Sequence, residues 1–170
     1  NNNVNCSEGD LWNDEIRAAA MILTSNGSRL CSGSMINNVR QDLTPYFLTA
    51  NHCIYGNTDS WIIMFNYESP ECSNQNGPTN MTVQGTTLKS NGSTSDYALF
   101  ELSENPPESY NIHYSGWSSV DTPPQEPVAI HHPSGDIKKI SFDYDTGISD
   151  GWSGNDGSHW RVADWEDGTT

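Results

Sequence analysis

Short apolar runs separated by stretches rich in Asn, Gly, Ser and Pro dominate the chain, and their spacing predicts strands rather than helices. Tyr97 to Leu102 alternates most clearly, and Tyr46 to Thr49, Trp61 to Tyr67 and Met81 to Leu88 follow the same habit. Only Asp14 to Leu23 has helical composition, with Asp14 and Glu15 ahead of Ile16, Arg17 and three alanines. Asn26-Gly27 sits between Ala19 to Leu23 and Leu30 to Ile36, and both of its residues tolerate positive φ. A β-hairpin therefore competes with a helix for the first segment, and the hairpin is the favoured expectation. Six strands by Leu102 predict a closed β-barrel or a sandwich.

From Ser103 to Pro127 the pattern changes: five prolines, Pro106, Pro107, Pro123, Pro124 and Pro127, stand among few aliphatic residues. This reads as a connection between packed units. The expected organisation is a first unit over 1–104, a connection over 105–127 and a second unit over 128–170. The second offers only Val128 to His131, Lys138 to Tyr144 and Trp160 to Trp165, too few strands to close a barrel.

Charge narrows the function classes. Seven Lys and Arg face 22 Asp and Glu, a net charge of −15 over 170 residues. Phosphate backbones and anionic headgroups repel such a surface, so neither a nucleic-acid nor a membrane partner is expected. Six Trp, seven Tyr and four Phe still supply the apolar area a folded core needs. No run of 18 apolar residues occurs, and the amino terminus lacks the basic and apolar regions of a signal peptide, so the chain reads as soluble. Cys6, Cys31, Cys53 and Cys72 contain no C-x-x-C spacing, which argues for two disulfides and a secreted protein rather than a zinc or redox site.

Two residues carry the candidate chemistry. His52 follows a strand in Leu48-Thr49-Ala50-Asn51-His52-Cys53, where the adjacent cysteine can pin the backbone of a general base. Asp96 opens the alternating strand in Ser95-Asp96-Tyr97-Ala98-Leu99, where a part-buried carboxylate can orient an imidazole. Apart, each has a plain structural reading, a loop histidine beside a disulfide and a turn aspartate.

Together with Cys31-Ser32-Gly33-Ser34-Met35-Ile36, these motifs resemble, in order and spacing, the chymotrypsin-like serine peptidases, and more closely their bacterial lysyl endopeptidase branch. Val4-Asn5-Cys6-Ser7-Glu8-Gly9-Asp10 and Ala129-Ile130-His131-His132-Pro133 extend the resemblance over nearly the whole chain. It implies an all-β, chymotrypsin-like double β-barrel, the first barrel complete and the second truncated. It also implies a secreted endopeptidase acting through a Ser-His-Asp triad on peptide or protein substrates, after lysine, with His52 as base and Asp96 as its orienter. No cofactor is implied. The disulfides it implies are Cys31–Cys53 and Cys6–Cys72. Trp152 matches a tryptophan that shapes the substrate pocket of the branch. Asn51 departs from it, standing where a small residue or histidine is more frequent, and an additional amino-terminal cysteine of the branch has no counterpart. The nucleophile motif of the family follows a segment that Trp165-Glu166-Asp167-Gly168-Thr169-Thr170 resembles, so the serine is expected beyond residue 170, on a complementary C-terminal chain that this chain would need for activity.

Other motifs carry less. Gly151-Trp152-Ser153-Gly154 lacks the strand and helix of a nucleophile elbow, so Ser153 reads as a loop serine. His131 and His132 are adjacent and would point to opposite faces of a strand, which disfavours a shared metal. The acidic loop with Asp143, Asp145, Asp150 and Asp156 breaks the EF-hand pattern at Gly147 and reads as a solvated face. Asn26, Asn80 and Asn91 each begin a glycosylation sequon, a pattern common by chance in an Asn-rich chain. The competing functional reading is an exported, protease-like binding or adhesion module without a working nucleophile.

Overall fold

A computed structural model describes residues 2–152, 154 and 156–168. Among the described residues the order is β1 (Asn2–Asn3), α1 (Asn13–Ala18), β2 (Ala19–Leu23), β3 (Arg29–Ile36), β4 (Tyr46–Ala50), β5 (Ile62–Phe65), β6 (Thr82–Gln84), β7 (Thr86–Gly92), β8 (Tyr97–Leu102), β9 (Val128–His131), β10 (Lys139–Phe142), β11 (Ile148–Asp150) and β12 (His159–Arg161).

The competition between helix and hairpin ends in both. Asp14 and Glu15 in the first turn and Arg17 in the last suit the helix dipole, and α1 stops at Ala18. The next five residues form β2, which pairs with β3 across the Asn26-Gly27 turn. The favoured hairpin is thus correct for Ala19 to Leu23 and wrong for the polar half of the segment. Every residue of β2 is buried. Ala20 and Ile22 enter a core with Met35, Phe47, Trp61, Ile63, Phe65, Phe100 and Leu102, whereas Met21 and Leu23 pack on the other face with Met64, Tyr67 and Ile137. A strand covered on both faces has no polar alternation, which is why its composition imitates a helix.

One sheet runs in the order β6-β5-β2-β3-β4-β8-β7. Its two end strands are consecutive in sequence and separated only by Gly85, so the sheet must curl until its ends meet. The strand expected over Met81 to Leu88 is accordingly a single run bent into β6 and β7. Gly85 makes the bend with φ +98°, a region unfavourable to side chains. Its N–H donates to Trp61 O, and Thr86 Oγ1 to Thr58 O, tying the corner back to the segment entering β5.

The connection is not detached from this barrel. Tyr110, Ile112 and Tyr114 pack on its core, and Ser115 bridges Ile36. Beyond it, β10 lies between β1 and β9, and β11 pairs with β12 as a separate hairpin. The strands expected over Lys138 to Tyr144 and Trp160 to Trp165 are shorter, and β1 and β11 have no apolar run to announce them. Val4, Ile16 and Ile140 form a small core beneath the three-stranded sheet.

Candidate active site

Register brings His52 and Asp96 together. β4 and β8 are antiparallel with Thr49 opposite Ala98 and Ala50 opposite Tyr97, so continuing both strands by one residue sets Asn51 beside Asp96. Asn51 N–H donates to Asp96 O at 2.9 Å as the chain enters a 3₁₀ turn over Asn51–Cys53. Cys53 closes this turn through a disulfide to Cys31 on β3, and Cys6 is bonded to Cys72.

Asp96 meets the turn with both carboxylate oxygens. Oδ1 accepts from His52 N–H at 2.8 Å, and Oδ2 lies 2.6 Å from His52 Nδ1. A carboxylate only accepts, so Nδ1 carries the proton and Nε2 is the edge left to exchange one. The Asp96 side chain is 8% exposed and that of His52 54%. Burial alone would raise the Asp96 pKa, but the hydrogen bonds and charge of His52 outweigh it and hold the carboxyl below its usual range.

Trp152 lies parallel to the His52 ring, with centroids 5.2 Å apart and planes 5° apart, and contacts His159 at 5.9 Å. A tryptophan face stabilises an imidazolium by roughly 0.5–1 kcal/mol at an exposed site. Nothing in the local sequence of His159 singles it out, because its place depends on how the β11–β12 hairpin folds. Ser153 lies outside the described residues.

Behind the pair, a groove of about 440 Å³ runs between the barrel and Ile130 of β9, lined by Ser32, Gly33, Ser34, Thr49 and Asp96 among others. Gly33 leaves no room for a side chain, since a Cβ there would stand 2.5 Å from the Phe47 ring.

Donor groups of the metal-binding kind gather, among the described residues, at Cys31, His52 and Cys53 and at Asp143, Asp145 and Glu166. The first set has lost its thiols to the disulfide. In the second, Tyr144 N–H donates to Glu166 and Asp145 N–H to Asp143, while Asp150 pairs with Arg161 and Asp156 caps Ser158. The acidic loop therefore divides into separate local contacts. His132 is buried, with Nδ1 2.9 Å from Asp136 O.

Comparison with known proteins agrees with this architecture. A family model described as the lysyl endopeptidase C-terminal domain matches residues 1–170. The lysyl endopeptidase of Pseudomonas aeruginosa is 30% identical over 139 residues, covering 72% of this chain, and this chain spans 28% of the length of that relative. With its all-β, chymotrypsin-like barrel, the chain belongs to the family of the lysyl endopeptidase C-terminal domain.

Proposed function

We propose that this chain carries the proton-transfer half of a secreted serine endopeptidase. His52 is the general base and then the general acid, Asp96 fixes its tautomer and orientation, and the nucleophilic serine lies on sequence beyond residue 170. The observation that carries this reading is the 2.6 Å contact of His52 Nδ1 with the buried Asp96 carboxylate, which turns Nε2 outward. The serine would lose its proton to Nε2 as it attacks the peptide carbonyl. Nε2 would return that proton to the leaving amine, and water would hydrolyse the acyl-enzyme by the same relay. Trp152 covers one ring face of His52 and forms a wall beside the scissile bond. Cleavage after lysine is taken from the name of the Pseudomonas relative. Two disulfides support secretion.

A fluorophosphonate probe tests the reading in the full-length protein. The expected result is labelling of one serine outside residues 1–170, abolished in His52→Ala. Labelling of a serine within 1–170 would relocate the nucleophile, and absence of labelling in a correctly folded protein would favour the binding-module reading.

A further inference from the structure

The His52 side chain is more than half exposed, so the aim of its ring depends on the turn that carries it more than on surrounding packing. Three ties hold that turn: Asn51 N–H to Asp96 O, His52 N–H to Asp96 Oδ1, and the Cys31–Cys53 disulfide. A fourth comes from elsewhere. Asn91 Nδ2 on β7 donates to Asn51 Oδ1 at 2.7 Å.

This contact depends on an irregularity in the sheet. Leu88 stands opposite Phe100, but Ser90 rather than Lys89 stands opposite Leu99, so β7 contains one additional residue. In unbroken register Asn91 would face Tyr97, which is exposed. The additional residue instead sets it opposite Ala98, which is itself opposite Thr49, and both of these are buried. Residues two apart on a strand share a face, so the row Asn91, Ala98, Thr49 leads along β4 toward Asn51, the first residue past its end. A slip of one residue reverses the face a side chain occupies, and bulges re-aim side chains in this way. The bulge at Lys89 thus delivers an amide to the residue before His52, the position at which the sequence departs from the related motif. Asn51 is then pinned through its backbone by Asp96 and through its side chain by Asn91.

We propose that Asn91 is a positioning residue that, through Asn51, fixes the turn presenting His52 to Asp96. The proposal rests on the acid–base reading of that pair. In the full-length protein, histidine-selective ¹⁵N labelling and proton NMR would follow the Nδ1 proton of His52, assigned by its disappearance in Asp96→Asn. Asn91→Ala is expected to lose this signal to solvent exchange and to lower kcat about tenfold with KM unchanged, as a slightly misplaced base does. Asn51→Ala should do the same, and the double variant should be no worse than either, because the two substitutions remove one contact. Both side chains lie at the surface end of the sheet, so melting temperatures should stay close to that of the unsubstituted protein. A His52 signal retained in Asn91→Ala overturns the role of Asn91 alone. Absence of the signal in the unsubstituted protein overturns the His52–Asp96 reading and this proposal with it.

Discussion

Asp96 illustrates how much one residue can organise. Its φ of +47° lies in the left-handed region, which costs a non-glycine residue of order 1 kcal/mol and which Asn and Asp tolerate best. That backbone aims the Asp96 carbonyl at Asn51 N–H while the side chain reaches His52 twice. Asp96→Asn should therefore keep the turn and the fold, yet present the imidazole with an amide in place of a charge. We expect kcat of the full-length protein on lysyl peptides to fall roughly 10³- to 10⁴-fold with little change in KM. Steady-state kinetics alongside a melting curve checks both halves of the statement. His52 and Asp96 were legible as candidates from their motifs, but neither the left-handed φ nor the Asn91 contact was. Those depend on strand register, which a single residue added to β7 can change.

At the level of elements, the junction between the barrel and the second sheet is built on two of the chain's few cations. Lys138, just before β10, and Lys139, its first residue, are both buried. Lys138 Nζ donates to Ile16 O at 2.8 Å and to Glu68 Oε2 at 3.0 Å, and Lys139 Nζ reaches Asn3 Oδ1 and Asn74 Oδ1. Burial lowers the Lys138 pKa, and the Glu68 charge works against that shift. Lys138→Ala should destabilise the protein by about 3–5 kcal/mol, because it strands a carbonyl and a part-buried carboxylate. Lys138→Met, which keeps the aliphatic volume, should cost about half as much. Urea denaturation of the two variants would order them, and equal costs would show that volume contributes nothing. Sequence patterning had no access to this junction, since a pair of lysines in a polar stretch ordinarily signals solvent.

For the molecule as a whole, acid is the condition most directly opposed to the fold. His132 is held neutral by burial first, and then by the nearby charges of Lys138, His131 and Arg29, which lower its pKa to about 3 against the hydrogen bond that its ring N–H donates to Asp136 O. An unfolded chain protonates this histidine near the ordinary histidine value of 6.5, whereas the folded chain does not until about pH 3. Between those values the unfolded state binds more protons, so stability falls as pH falls, by an amount on the order of 4 kcal/mol over the window. Asp96 works in the same direction further down: its depressed pKa supplies stability that is lost as pH drops through the folded value. The melting temperature should be nearly flat above pH ~7 and decline below pH ~6.5. His132→Asn should flatten the upper part of that decline in calorimetric scans, and an unchanged slope would remove His132 from the account.

Local chemistry in the sequence determined the strand-rich character, the Asn26-Gly27 turn, the exclusion of a basic nucleic-acid surface and the candidate pair His52 and Asp96, because these depend on composition, short-range conformational preference and short motifs. Tertiary structure decided the rest. It split Asn13 to Leu23 between helix and strand, since only the neighbours of β2 show that both its faces are covered. It bent one expected strand into two at Gly85, where closure of the barrel demands a corner. It also set Trp152 against His52, brought Asn91 to Asn51 and buried two lysines. Each of these is a contact between residues far apart along the chain, and its existence depends on barrel closure and on register, which no local pattern of apolar and polar residues encodes.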